Sequence, residues 1–263
     1  MTYGLDVKLS TEEVNWRNFG IAARFAKEAG VNTVMLTGKG EPTLFPDQIT
    51  EYLEHLQEFR FPFVELQTNG LKLHEKRLDG YLRQWYDLGL TTVAVSVAHY
   101  DNAKNKEIFT SKEEYPDLEK LVEKLHKQKY SVRMACVMVN GYIDNVKELD
   151  KLVDFAKKND VEQLTVRPIR KPGKSRSDVV AKWVEEHGLS DDALREIKNY
   201  LDHNATKLLE LMHGAIVYDY RGQNVCLTDA LTIEPETDKI RQLIFFPDGH
   251  LRYDWQYKGA ILI

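Results

Sequence analysis

The sequence predicts an α/β protein built on a parallel sheet. Short apolar runs alternate with longer amphipathic segments. Five such runs recur at roughly 30-residue spacing, the pattern of successive βαβ units. Each run ends in polar or glycine residues, as strands do where they turn toward a helix. Crossovers of this kind are right-handed, and in parallel α/β barrels the working residues sit at the C-terminal strand ends.

Composition agrees with a folded chain. Its 263 residues carry 36 Lys+Arg and 41 Asp+Glu, a formal charge of -5, and the 43% hydrophobic and 10% aromatic content can build a core. The mild negative charge argues against a protein that coats nucleic acid. No apolar stretch approaches the ~18 residues of a membrane-crossing helix. Residues 1–8 show no basic region followed by an apolar run, so no signal peptide is expected. The two cysteines, Cys136 and Cys226, lie far apart, which argues against a disulfide scaffold and for a cytoplasmic location.

The elements follow in order. Ser10, with Glu13 three residues on, reads as a capping box for a helix over 14–28, with Val14, Phe19, Ile21, Ala22, Phe25 and Ala26 on one face and Gly30 as its stop. Residues 31–37 (VNTVMLT) read as a buried strand, 47–59 as a helix, and 63–67 (FVELQ) as a strand running into Thr68-Asn69-Gly70. The unit then repeats: helix 73–88, strand 91–98, helix 117–129, strand 131–139, helix 143–158, strand 161–166. After Pro168 comes a basic loop, 170–177 (RKPGKSRS), then helices over 178–187 and 191–212. From Ala215 the tail reads as short strands, with Pro247-Asp248-Gly249 as a hairpin turn. The expected organisation is a barrel-like unit over 1–168 and an α/β extension over 169–263 packed on it.

The strand ends are Thr37 to Pro42, Thr68-Asn69-Gly70, Ser96 to His99, Asn140-Gly141 and Arg167-Pro168. The first is the most specific. Gly38 and Gly40 allow a sharp turn and close approach of the backbone to a ligand. Glu41 places a carboxylate beside exposed backbone groups, a receptor for an ammonium, and Pro42 fixes the exit. A tight turn with a solvated glutamate is the plainer alternative. His99 is a possible acid or base, though a surface loop histidine is the plainer reading. His213 and His250 read as structural or exposed, and Arg170, Lys171, Lys174 and Arg176 as a solvated loop. The aromatic residues Phe245, Phe246, Tyr253, Trp255 and Tyr257 read as packing that closes the barrel.

From about Leu9 to Arg167 the sequence resembles the radical S-adenosylmethionine superfamily. The resemblance rests on TGKGEPTL at 37–44, on Thr68-Asn69-Gly70, and on Asn140-Gly141. It implies a partial TIM-like (β/α)6 barrel, here without its first strand. It also implies binding of the cofactor's methionine group by Gly38, Gly40, Glu41 and Pro42. Thr68 and Asn69 would lie beside that group, Ser96 and Asn140 would contact ribose or carboxylate, and Arg167 would meet a carboxylate or anionic substrate through its guanidinium fork.

The activity implied is reductive cleavage of S-adenosylmethionine at a 4Fe-4S cluster, then hydrogen abstraction from a substrate, with flavodoxin or ferredoxin as reductant. The CxxxCxxC motif that defines the family is not in this sequence. A truncated chain, a fragment completed by another polypeptide, and a homologue that has lost the cluster are the alternatives. Without the cysteines this chain is expected to be inactive, and a binding module without a cluster is the rival function. A TIM-type lyase or hydrolase using Glu41 and His99 is a third possibility, disfavoured by the strand count.

Overall fold

The computed structural model describes residues 13–38, 40–109, 115–169, 178–211, 214–228, 240, 242–246, 248–254 and 257–263. The Ser10 cap and the 170–177 basic cluster therefore lie outside the described residues, as do His213, Pro247 and Trp255.

Five βα repeats are present. Helix α1 (Trp16–Glu28) leads to β1 (Thr33–Leu36), α2 (Pro46–Leu56), β2 (Phe63–Thr68), α3 (Asp79–Asp87) and β3 (Thr92–Val97). Then come α4 (Asn102–Phe109), α5 (Leu118–Lys127), β4 (Ser131–Met138), α6 (Val146–Lys158) and β5 (Gln163–Pro168). The remainder supplies α7 (Asp178–His187), α8 (Asp191–Asn204), β6 (Thr206–Glu210), β7 (Ile216–Tyr220), β8 (Gln223–Leu227) and the short pair β9 (Ile244–Phe245) and β10 (Leu251–Arg252).

The strands β1 to β5 pair in sequence order, all parallel. The sheet does not stop there. Strand β8 pairs parallel to β5, and β7 and β6 follow antiparallel, giving the order β1-β2-β3-β4-β5-β8-β7-β6. The C-terminal strands thus extend the same sheet. The β7–β8 turn uses Arg221 and Gly222 at φ 54° and 81°, the two left-handed residues of a tight hairpin.

Register and burial assign the two faces. On β4 the residues Val132, Met134, Cys136 and Met138 are at most 1% exposed, whereas Arg133, Ala135 and Val137 are half-buried. The first set packs under the helices, with Leu121, Val122 and Leu125 of α5 and Leu149, Leu152 and Val153 of α6. The second set lines the open face. Burying one such aliphatic side chain contributes ~1.5–3 kcal/mol, so the helix side supplies most of the stability and leaves the open face free to carry polar groups.

Several boundaries differ from the sequence reading. The cap of α1 is Asn15, whose side chain accepts from Asn18 N, and Ile21 and Phe25 are 39% and 44% exposed. Residues 71–75 are turns and α3 begins only at Asp79. Helix α4 was missed altogether. The predicted helix over 191–212 ends at Asn204, because Ala205 is extended (φ -125°, ψ 158°) and 206–210 pair with β7. Gly249 does turn left-handed (φ 82°) between β9 and β10. Of the tail aromatics expected to pack, Phe245 does so on α1, meeting Phe19 edge-on at 5.3 Å. Tyr253 and Tyr257 are 44% and 68% exposed.

Candidate functional site

Because β1 to β5 are parallel, their C-terminal ends share one edge of the sheet. The loop after β1 is tied to the end of β2 through one side chain. Glu41 Oε1 accepts from Thr43 N (3.0 Å), Thr43 Oγ1 (2.6 Å) and Thr68 Oγ1 (2.6 Å), and its Oε2 accepts from Asn69 N (2.8 Å). Oε1 thus carries three donors and Oε2 one, which leaves an acceptor position on Oε2. Glu41 also caps the 3₁₀ turn Pro42–Leu44, with Pro42 at its first position, where a missing N–H costs nothing. The carboxylate is therefore a knot joining two strand ends, and the receptor groups left in this loop are main-chain ones together with the second lone pair of Glu41 Oε2.

Gly38 does not need a left-handed conformation, so conformational freedom is not its reason for being there. A Cβ on Gly40 would meet no atom of the described residues within 4 Å. Gly70 differs. Its φ is 77°, and a Cβ there would lie 3.0 Å from Leu121 Cδ2 and 3.2 Å from Val95 Cγ1, so only glycine fits this turn. Asn69 Oδ1 accepts from Leu71 N at 2.9 Å, and Thr68 Oγ1 accepts from Gly70 N at 3.0 Å.

The other predicted site residues are spread along the edge. Ser96 lies on the open face of β3, opposite Ala135 of β4. Arg167 lies on the open face of β5, opposite Val137. Asn140 N donates to His187 O (2.9 Å), and Asn140 lines a cleft of about 340 Å³ with Asp144, Ser190 and Glu196. The structure thus joins Glu41, Thr68 and Asn69 directly, sets Ser96 and Arg167 on one face, and turns Asn140 toward α7 and α8. Deeper on the open face, Arg133 Nη2 is paired with Glu65 Oε1. Burial pushes the Glu65 carboxyl up, and Arg133 opposes this.

His99 is not a surface histidine: it is 1% exposed. Its Nδ1 accepts from Asp101 N (2.9 Å), so in the neutral ring the proton is on Nε2, 3.5 Å from Glu148 Oε2. Burial and the neighbouring Lys104 push its pKa down, with Glu148 and Asp101 acting against them. Beside it Asn105, wholly buried, binds four main-chain groups: its Oδ1 accepts from Ala98 N (2.7 Å) and His99 N (3.0 Å), and its Nδ2 donates to His99 O (2.5 Å) and Asp101 O (3.0 Å). Sequence reading passed over Asn105; the Asp101-Asn102 pair, a helix-start signal, was the available clue.

A family comparison matches the Radical SAM superfamily over residues 12–156, more than half of the chain. The chain belongs to the radical SAM superfamily. No curated protein sequence matches it. Among solved structures, a radical SAM methyltransferase from Sphaerobacter thermophilus aligns at TM-score 0.54 and 15% identity, over 89% of this chain and 59% of that one. Streptococcus suis SuiB aligns at TM-score 0.50 and 17% identity, over 91% and 49%. The same protein bound to its precursor peptide SuiA aligns at 0.50 and 20%, over 76% and 42%. These likenesses establish the fold, a mostly parallel radical SAM sheet. The chain spans between two fifths and three fifths of the length of these neighbours.

The superfamily implies S-adenosylmethionine and a 4Fe-4S cluster, and the two fit this chain differently. Cys136 is buried on the helix side of β4, and Cys226 lies on the open face of β8, across from Thr165. Two thiols on opposite faces of one sheet cannot ligate a common cluster that usually needs three or four thiolates. Among the described residues no group of three metal-ligating side chains occurs. No described helix is long and apolar enough to cross a membrane.

Proposed function

We propose that this chain is the part of a radical SAM enzyme that holds S-adenosylmethionine and substrate, with the cluster's cysteines supplied from outside residues 1–263. The observation that carries this reading is the Glu41 knot. It fixes the loop after β1 against the end of β2 and leaves main-chain carbonyls, with the remaining lone pair of Glu41 Oε2, to accept hydrogen bonds from the methionine ammonium. No atom of the described residues lies within 4 Å of a Cβ placed on Gly40, which gives the ligand room there. Ser96 offers a hydroxyl to the ribose, and Arg167 a fork for a carboxylate. Asn140, Gly38, Pro42, Thr68 and Asn69 shape the rim. Bound with a cluster, S-adenosylmethionine supplies the 5′-deoxyadenosyl radical that takes hydrogen from a substrate. The residues of this chain do not hold a cluster, so no reductive step is assigned to them. A soluble cytoplasmic enzyme served by flavodoxin or ferredoxin is the setting this reading implies.

Titration calorimetry with S-adenosylmethionine tests the reading on this chain alone. Binding is expected, and Gly40→Val is expected to abolish it without moving the thermal midpoint, because a Cβ there meets no atom of the described residues and points into the proposed ligand space. Equal binding by both forms would remove the assignment. The two cysteines on opposite faces also favour a second reading, a ligand-binding barrel without a cluster. Anaerobic reconstitution of the full natural protein with iron and sulfide separates the two, through the brown colour and visible absorbance of an iron–sulfur cluster.

A further inference from the structure

The chain leaves the proposed cofactor site at Ser96 and turns within three residues, and two buried side chains hold that turn. Asn105 Oδ1 accepts from Ala98 N and His99 N, and its Nδ2 donates to His99 O. The His99 ring holds the next stretch, its Nδ1 accepting from Asp101 N at 2.9 Å. Charged groups from two helices face this ring. Lys104 of α4 sets Nζ 3.3 Å from Nε2. Glu148 of α6 sets Oε2 3.5 Å from Nε2, and the same oxygen accepts from the Tyr100 hydroxyl at 2.9 Å. Lys151 pairs with the other Glu148 oxygen at 2.7 Å. The rings of Tyr100 and Tyr142 lie 4.0 and 6.3 Å from the imidazole, and Glu107 faces the Tyr142 hydroxyl. The Asp101 carboxylate completes the set; its Oδ1 accepts from Ala103 N and Lys104 N.

We propose that His99 is a positioning residue for the cofactor site: its neutral ring holds the strand end behind Ser96, and gain of a proton releases that end and weakens S-adenosylmethionine binding. The inference rests on the function proposed above and adds an acid-sensitive control to the same site. Hydrogen-bond directions give the reason. A neutral imidazole carries one N–H, and with Nδ1 accepting it sits on Nε2. A second proton has only Nδ1 to go to. There it would face Asp101 N–H, donor against donor, and the bond that fixes residue 101 is lost. The imidazolium would also stand beside the Lys104 ammonium, a like charge. Glu148 favours the proton, but Tyr100 and Lys151 already engage its oxygens. Burial and Lys104 outweigh Glu148 and Asp101, so the ring's pKa is lowered. Only Val97 and Ala98 separate Ser96 from the released residue. Linkage fixes the sign. The ligand-bound form keeps the turn ordered and resists the proton more than the free form does. Affinity is therefore complete above the free form's pKa, which lies below the ordinary histidine value, and falls as pH drops through it, by about tenfold per pH unit.

Titration calorimetry of the full chain with S-adenosylmethionine, from about pH 7 to about pH 4.5, tests this; the range lies between the ligand's α-carboxyl and α-amino pKa values. The wild-type affinity is expected to fall by about tenfold or more across it. His99→Asn keeps an acceptor for Asp101 N–H and gains no proton, so it is expected to lack this fall. Lys104→Met removes the neighbouring cation, so its fall is expected to begin at higher pH. A histidine that only fills space would leave the three profiles parallel, and parallel profiles overturn the proposal. Main-chain hydrogen exchange over residues 96–101 supplies a readout without ligand. The wild-type rate divided by the His99→Asn rate, taken at each pH, is expected to rise toward the acid end. A constant ratio overturns the proposal as well. A rising ratio in a chain that binds no S-adenosylmethionine at any pH keeps the His99 hold on the turn and removes the cofactor reading.

Discussion

Single side chains decide how the strand-end edge is built. Glu41 looks in sequence like a ligand-binding carboxylate, and in the structure its oxygens accept from Thr43, Thr68 and Asn69 and so tie two strand ends together. Glu41→Gln replaces one acceptor oxygen by a donor and leaves a main-chain or hydroxyl donor unpaired. A loss of about 1–3 kcal/mol of stability is expected, read from the urea midpoint, with weaker S-adenosylmethionine binding following from the loosened loop. His99 makes a second prediction. Its folded pKa is depressed by burial and by Lys104, so the unfolded chain takes up the proton more readily. The neutral ring's contribution is therefore complete above the unfolded pKa of about 6.5, and is lost as pH falls from there through the folded pKa. Lys104, Asp101 and Glu148 are the charged groups facing it, and Tyr100 and Tyr142 are the aromatic ones. Denaturant melts across this range are expected to show an acid-side decline that is shallower in His99→Gln; equal slopes would contradict it.

At the scale of elements, amphipathic periodicity reported helices well and edges poorly. The α5 face of Leu118, Leu121, Val122 and Leu125 was legible because each residue packs on the sheet. The α1 face was misjudged at Ile21 and Phe25, since apolar spacing says which residues share a face and not how wide the covered stripe is. Helix α4 has little apolar periodicity to read. It is held by Asp101, which accepts from Ala103 N and Lys104 N, and by Asn105 binding the β3 end. Asn105→Ala strands three buried main-chain groups, Ala98 N, His99 N and His99 O, while Asp101 O keeps the Asn105 N–H. The expected cost is about 3 kcal/mol or more, seen as a lower denaturation midpoint at unchanged slope. Strand β6 was read as helix because Leu208, Leu209 and Leu211 suit either period; its pairing with β7 is a long-range contact that local spacing does not encode.

At the scale of the molecule, the tail is part of the sheet. Strand β8 continues the parallel order beyond β5, and β7 and β6 carry the open face further. The division expected at residue 168 thus falls within one continuous sheet. The same geometry sorts the two cysteines onto opposite faces, which is why the family's cluster cannot be assembled from them.

The sequence by itself determined the βα repeat, the strand ends and the superfamily, because helix and strand periods and glycine-bearing turns are local properties of the chain. Only the tertiary structure decided that Glu41 is a knot, that His99 is buried, and that Cys136 and Cys226 face apart. Each of these depends on register between segments distant in the chain, and register is set by which faces bury together.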